Sequence, residues 1–380
     1  MESSTQNHDD LLPVDTKVNL QNPDSSKADT ESITDSELSV LESKPETSPL
    51  TLPFRPANHH SAMQESRQRP ADQQQQSGRE AIPKTWRYPR AKTPLPTLTH
   101  AQKTAIRVQA ARDTFKVSQE LLGNLTGSFG LGYKFRHQKI KSLDSVLKSS
   151  SRYPKYPTTQ VKVVNKDTLD AAIALDNAAD MMGIKSKMRS LVLNFANASV
   201  PGGGWLNGAS AQEEQICYRT TLSYHGLSPD FYPMRSDEGI YTSNCLIMRE
   251  NEQKGYSWMW LGKPELLPLT SVISVAATQG PPLDSTGTKY KNPSERTLME
   301  DKMRSILRIA ADHLHTKLVL GDLGCGAFHH PPGEVADCWV KVLQEKEFKG
   351  WFEFIVFAVL DKKDGDNFLT FMKALHDLKM

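Results

Sequence analysis

Apolar residues fall into two regimes along this chain. Over residues 1–98 the sequence is rich in Ser, Thr, Asp, Pro and Gln, carries a glutamine run at 73–76, and shows no sustained helical or strand period. Such a segment lacks the apolar surface to offset its backbone entropy, and it is expected to be a disordered polar tail. Periodicity starts at Thr99, which suits a helix N-cap. Ala101, Ala105, Val108, Ala111, Phe115 and Leu122 then recur at helical spacing as far as Gly123. The Ser- and Lys-rich stretch that follows is expected to form loops and short helices that lean on the domain behind it, so 99–158 reads as an accessory segment.

From residue 159 to 380 the texture is that of a folded domain. Val161, Val163 and Val164 predict a strand, and Asp167-Thr168 a cap for a helix carrying Leu169, Ala172, Ile173, Ala179 and Met182. Leu191-Val192-Leu193-Asn194-Phe195 is apolar enough for a buried central strand. Further strands are predicted over 271–277, 317–320 and 352–359. Between them lie a helix with Met299, Met303, Ile306, Leu307, Ala310 and Leu314 on one face and a second one over 333–344 with Val335, Trp339 and Val342. Alternating strands and helices imply an α/β, three-layer domain around a mixed, largely parallel sheet. Ligands of such sheets bind beyond the carboxyl ends of the strands.

Composition narrows the chemistry. A net charge of +2 over 380 residues gives no clustered basic surface for nucleic acid. The basic-aromatic stretch at 84–90 reads as a solvated linker, with a localisation or docking element as the alternative. The mean hydropathy of −0.51 and the absence of a long apolar run argue against a membrane span. The first ten residues have neither the basic start nor the apolar stretch of a secretory signal, and their acidity does not suit a mitochondrial one. Four scattered cysteines, Cys217, Cys245, Cys325 and Cys338, fit a reducing compartment. A soluble protein of the nucleus or cytoplasm is expected.

Two glycine-rich loops follow predicted strands. After Phe195 come Ala196-Asn197-Ala198-Ser199-Val200-Pro201-Gly202-Gly203-Gly204 and, after seven intervening residues, Gln212-Glu213-Glu214. Three glycines let backbone approach a ligand and free amides for an anion. Two adjacent carboxylates held at a turned chain crowd one another, which raises one pKa and leaves a protonated acid beside an ionised one, the pairing glycosidic chemistry needs. After Leu320 comes Gly321-Asp322-Leu323-Gly324-Cys325-Gly326-Ala327-Phe328-His329-His330, a second amide-bearing loop whose Phe328 can cover a sugar or base.

With those residues in view, Asn194-Phe195-Ala196-Asn197-Ala198, Pro201-Gly202-Gly203-Gly204 and Gln212-Glu213-Glu214 resemble the signature of the microbial-type poly(ADP-ribose) glycohydrolases, whose catalytic unit is a macrodomain. The similarity spans roughly 101–359. It implies that Glu214 is the catalytic acid and that Glu213 holds the ribose hydroxyls. It places Gly202, Gly203 and Gly204 around the distal ribose and phosphates, with Asn197 at the ribose and Gln212 among the substrate-binding residues. Gly324, Cys325, Gly326 and Phe328 match the diphosphate loop, and Asp167 the acidic residue near the adenine amino group. The implied activity is hydrolysis of ribose-ribose O-glycosidic bonds in poly(ADP-ribose), without metal or cofactor, by a monomer acting on the polymer and on ADP-ribosylated proteins. Two stretches depart from the family pattern: Thr278-Gln279-Gly280-Pro281-Pro282 replaces a proline that usually follows Ala277, and His329-His330-Pro331-Pro332 differs in detail.

Competing readings remain at this stage. A macrodomain can be a reader that binds ADP-ribose without cutting it, but a reader has no need of the acid pair. The same pocket could instead remove a terminal ADP-ribose from protein side chains. Cys325, His329, His330 and Cys338 match no closed zinc pattern. Cys217, just beyond the acid pair, reads as a buried small hydrophobe.

Overall fold

The computed structural model describes residues 98–124, 129, 131–143, 149–183, 188–259, 263–361 and 366–380. The expected polar tail, Leu98 excepted, and the basic-aromatic stretch at 84–90 lie outside the described residues.

The centre is a sheet in the order β1-β4-β5-β3-β6-β7-β2, made of β1 (Tyr133–Arg136), β2 (Gln160–Val164), β3 (Leu191–Phe195), β4 (Glu238–Leu246), β5 (Leu269–Val275), β6 (Lys317–Leu320) and β7 (Phe354–Ala358). From β5 to β2 all neighbours are parallel, while β4 runs antiparallel to β5 and β1 to β4. Period-2 alternation sends side chains to two separate cores. Leu191 and Leu193, Leu318 and Leu320, Ile355 and Phe357 enter one, and Val192, Val319 and Val356 the other. A strand buried on both faces is apolar at nearly every position, and that is why these strands are legible as near-continuous runs.

The helices divide accordingly. On the Val192 face lie α1 (His100–Asn124), α2 (Thr168–Met181), α3 (Gln212–Arg219) and the single turn α4 (Leu222–His225), through Ala111, Leu169, Ala172, Ile216 and Leu222. On the Leu193 face lie α5 (Pro293–Asp312), α6 (Pro332–Leu343) and α7 (Asn367–Leu375), through Met303, Ile306, Val335, Trp339 and Phe371. The three-layer arrangement is as the sequence implied. Among the described residues no helix is long and apolar enough to cross a membrane.

Local rules fix the helix starts. Thr99 Oγ1 accepts from Gln102 N–H (3.2 Å) while Gln102 Oε1 accepts from Thr99 N–H (2.8 Å), a reciprocal capping box. Asp167 Oδ1 accepts from Leu169 N–H (2.9 Å) and Asp170 N–H (3.2 Å), capping α2 as expected. Pro293 and Pro332 stand in the first turns of α5 and α6, where a missing N–H costs nothing.

The segment expected to hold only loops and short helices contributes β1 instead. Only Phe135 of its four residues is buried, so its sequence shows no alternation, and Lys134 and Arg136 reach across to Glu238 at 3.4 and 3.2 Å. β4 was not anticipated either. Its register shifts between Thr242 and Cys245, where Asn244 takes φ +54°, and such a bulge breaks the period of 2.

Candidate active site

The chain crosses the sheet so that β5 lies on one side of β3 and β6 on the other. The carboxyl end of β3 is therefore the switch point of the sheet, where an α/β fold opens a crevice. Both glycine loops border it. The loop after β3 leads to α3 on one face, and the loop after β6 leads to α6 on the other.

The first loop is a tight turn. Gly202 and Gly203 have φ of +71° and +59°, a region other residues rarely enter. Gly203 also leaves room for chemistry: a Cβ there would stand 2.5 Å from Glu214 Oε1 and 3.1 Å from Glu213 Oε2. Both carboxylates of the acid pair thus converge on one point of the loop.

The two acids are held differently, although both lie in the first turn of α3, where the helix dipole favours negative charge. Glu213, 3% exposed, accepts from Asn197 N–H at Oε2 (2.7 Å) and from Asn194 Nδ2 at Oε1 (3.3 Å). Burial pushes its carboxyl up to about 8; the amide of Asn197 and the side chain of Asn194 oppose this, and the charge of Glu214 adds to it. Glu214 is buried as well. Its Oε1 accepts from Gly204 N–H (2.9 Å), while its Oε2 is buried without a partner.

A braced scaffold sets this geometry. Gln212, expected among the substrate-binding residues, turns inward: its Oε1 accepts from Phe195 N–H (2.9 Å) and its Nε2 donates to Leu193 O (2.7 Å) and Thr168 Oγ1 (3.1 Å). The amide thereby fastens the start of α3 to the end of β3. Asn197 Oδ1 accepts from Ser199 and Val200 N–H (2.8 and 3.0 Å) and so shapes the turn. Arg107 of α1 donates to Gly208 O (3.1 Å), and Thr114 Oγ1 donates to Tyr218 O (2.7 Å), so the accessory helix braces both the loop and α3. Asp167 sits at the rim beyond β2, where its Oδ1 caps α2 and pairs with the fully buried Arg219.

Three residues at the acid pair had no assigned role in the sequence reading. Asn194 and Ser274 face each other in register on β3 and β5, both buried, and Asn194 Nδ2 donates to Ser274 Oγ (3.0 Å) as well as to Glu213. The signal for Asn194 was available, as the one polar residue of an otherwise apolar strand; Ser274 is one of three polar residues in β5 and does not stand out. Tyr232 carries a buried hydroxyl without a partner, and burial, with Glu213 and Cys217 nearby, pushes its pKa up. No local pattern marks it, because it arrives from a loop far along the chain.

In the second loop Gly324 has φ +82°, and a Cβ there would stand 2.5 Å from His330 Cδ2 and 2.9 Å from Ala277 Cβ. At Gly326 an added Cβ would meet nothing within 4 Å. Cys325 and Phe328 are half-buried against the core, and Asp322 Oδ2 accepts from Asn367 Nδ2 (2.9 Å). Cys217 is fully buried, and burial pushes its thiol far up, which leaves no thiolate for nucleophilic work. Among the described residues no three His, Cys, Asp or Glu side chains are grouped as metal ligands would be.

Comparison with known proteins bears on the family and the fold. The family model of the microbial-type PARG catalytic domain, PARG being poly(ADP-ribose) glycohydrolase, matches residues 74–250. The PARG of Thermomonospora curvata superposes with a TM-score of 0.56 at 24% identity, over 70% of this chain and 98% of that one. The structure of that enzyme bound to the inhibitor ADP-HPD gives 0.55 at 25% identity, over 70% and 98%. The PARG of Deinococcus radiodurans in complex with ADP-ribose gives 0.52 at 25% identity, over 64% and 93%. No curated protein sequence matches the chain. By family model over residues 74–250 and by the fold of its sheet, the chain resembles the microbial-type PARGs.

Proposed function

We propose that this protein is a poly(ADP-ribose) glycohydrolase that hydrolyses the ribose-ribose bond by acid-base catalysis through Glu214. The observation that carries the reading is the convergence of Glu213 and Glu214 on Gly203, with Glu214 Oε2 buried and unpaired. A buried carboxyl oxygen without a partner is costly unless a ligand group meets it. Both oxygens of Glu213 already accept N–H groups, so Glu213 suits an orienting role at the ribose hydroxyls and Glu214 the moving proton.

The bond between the anomeric carbon of one ribose and the 2′-oxygen of the next breaks as Glu214 gives its proton to that oxygen. Charge develops on the sugar ring as in other glycosidases. Water then adds its oxygen to the anomeric carbon and returns a proton to Glu214, and the products are ADP-ribose and a polymer one unit shorter. Burial raises Glu213 to about 8, so turnover is expected to fall as pH rises through about 8 and a charge forms beside the ribose hydroxyls.

The crevice between the two loops suits the diphosphate, with the exposed turn of Gly326 and Ala327 on one side and Phe328 at the edge. The rim after β2, with Asp167, is the expected adenine end. The T. curvata enzyme bound to the inhibitor ADP-HPD and the D. radiodurans enzyme in complex with ADP-ribose support an ADP-ribose unit as the ligand.

The test is release of free ADP-ribose from purified poly(ADP-ribose), with chelator present throughout, by wild type and Glu214→Gln. Wild type is expected to release ADP-ribose, and the variant to lose about 10³-fold in turnover while still binding ADP-ribose. Binding by both without release by either would overturn the enzyme reading and leave an ADP-ribose reader.

A further inference from the structure

β3 separates β5 from β6 in the sheet, yet the loops that follow β5 and β6 meet beyond its carboxyl edge. His330 makes most of the join. His330, 3% exposed, donates its backbone N–H to Gly324 O (3.1 Å), places ring Nε2 2.6 Å from Thr278 O and ring Nδ1 2.6 Å from the Tyr290 hydroxyl. A carbonyl oxygen only accepts, so Nε2 carries the proton and Nδ1 accepts from Tyr290. Burial holds the ring below its ordinary pKa, which keeps this neutral form in place at neutral pH. Tyr290 also packs edge-on against the ring, with centroids 5.5 Å apart.

The imidazole has a second contact. Its Cδ2 occupies the space beside Gly324 that a side chain would fill, and Gly324 lies 2.9 Å, at the Cβ position, from Ala277 Cβ at the end of β5. Gly280 N–H donates to Phe328 O (3.1 Å), a further stitch between the same two loops. The loop after β6 is thus tied at Gly324 and at Phe328, the two ends of the stretch that the glycohydrolase reading sets against the diphosphate.

We infer that His330 is a positioning residue for diphosphate binding: it clamps the loop after β6 to Thr278 and Tyr290 and so holds the backbone of 324–328 in the shape a diphosphate requires. The inference rests on the glycohydrolase reading for its ligand, but the clamp itself belongs to the free protein. Amide groups bind an anion well only when they are fixed before it arrives, because a displacement of about 1 Å weakens every bond at once. Losing the clamp removes binding that substrate and transition state share, which raises KM and leaves kcat nearly unchanged.

The experiment uses the full chain, as wild type, His330→Ala, His330→Gln and Tyr290→Phe. In the free protein, amide hydrogen exchange over 321–328 is expected to rise about 10-fold or more in His330→Ala. The Kd for ADP-ribose, by calorimetry, is expected to rise about 10- to 100-fold, with kcat on saturating polymer within about threefold of wild type. Tyr290→Phe keeps the Thr278 bond and is expected to raise Kd only a few-fold. His330→Gln, whose amide can reach Thr278 O, should recover part of the affinity lost in His330→Ala.

Loop exchange and Kd at wild-type values in a folded His330→Ala would overturn the inference. Should His330→Ala fail to fold, wild-type values in both His330→Gln and Tyr290→Phe would overturn it equally. A wild-type protein that does not bind ADP-ribose sinks the glycohydrolase reading and, with it, the diphosphate role. Unchanged loop exchange in a protein that does bind sinks the clamp alone.

Discussion

Two loops follow adjacent strands of one sheet, both rich in glycine, and they use glycine for different reasons. At Gly203 the absent side chain leaves room for the carboxylates of Glu213 and Glu214. At Gly324 it leaves room for His330 and Ala277, which belong to the packing of the loop itself. At Gly326 nothing within 4 Å competes for the space. Chemistry, packing and open approach are three separate demands, and a glycine in the sequence does not say which of them it meets. The contacts do.

The strongest way to break this distinction is Gly203→Ala. The new methyl would press on Glu214 Oε1 and Glu213 Oε2 together, and the positive φ adds roughly 1 kcal/mol of strain. Release of ADP-ribose is expected to fall about 10³-fold, since a misplaced acid loses both proton transfer and orientation, while the thermal midpoint drops only a few degrees. Activity within threefold of wild type would mean that the first loop, like the second, is chiefly a matter of packing.

Glu213 sharpens the same contrast through pH. Its folded pKa of about 8 lies above the 4.5 of an unperturbed side chain, so the folded state holds the proton more tightly than the unfolded chain. Its contribution to stability is therefore fully present below about 4.5 and is lost as pH rises through about 8, at about 1.4 kcal/mol per pH unit between them. Glu213→Gln removes the titration. Asn194 Oδ1, which has no partner, can turn to accept from the new amide. Urea unfolding at pH 5 and pH 8.5 should show the wild type losing several kcal/mol between the two and the variant losing much less. Equal losses would show that the pair is solvated and that the first loop does not enclose it.

How far the sequence foretold this depends on how local each signal is. β3, β6 and β7 were readable because both faces are buried and nearly every residue is apolar. β1, with one buried residue, and β4, bent at Asn244, were not. The acid pair and both loops were readable as a motif. The division of labour within the motif was not, because it depends on Asn194 and Ser274 facing each other across strands some 80 positions apart. The two stretches that depart from the family pattern turn out to touch: Thr278 and His330 are bonded at 2.6 Å. Each looks arbitrary alone, and together they form one clamp.

In the second loop, Gly324→Ala should cost mainly stability. Its backbone is at φ +82°, and the methyl would collide with the His330 ring at 2.5 Å and with Ala277 at 2.9 Å, neither of which can retreat without moving a strand end. A loss of about 2–3 kcal/mol in urea unfolding is expected, with kcat on saturating polymer within several-fold of wild type. A variant as stable as wild type would show that the loop yields easily.

Gly326→Ala is the smallest and most discriminating change. With nothing within 4 Å, the methyl points into open space, and unfolding free energy should move by no more than about 0.5 kcal/mol. If the loop's amides approach a diphosphate, that methyl stands where the ligand comes closest, and the Kd for ADP-ribose should rise several-fold without any change in the melt. Stability and affinity then separate at one residue, as they cannot at Gly324. An unchanged Kd would move the diphosphate off this part of the loop and leave Gly326 as a turn residue with no ligand role.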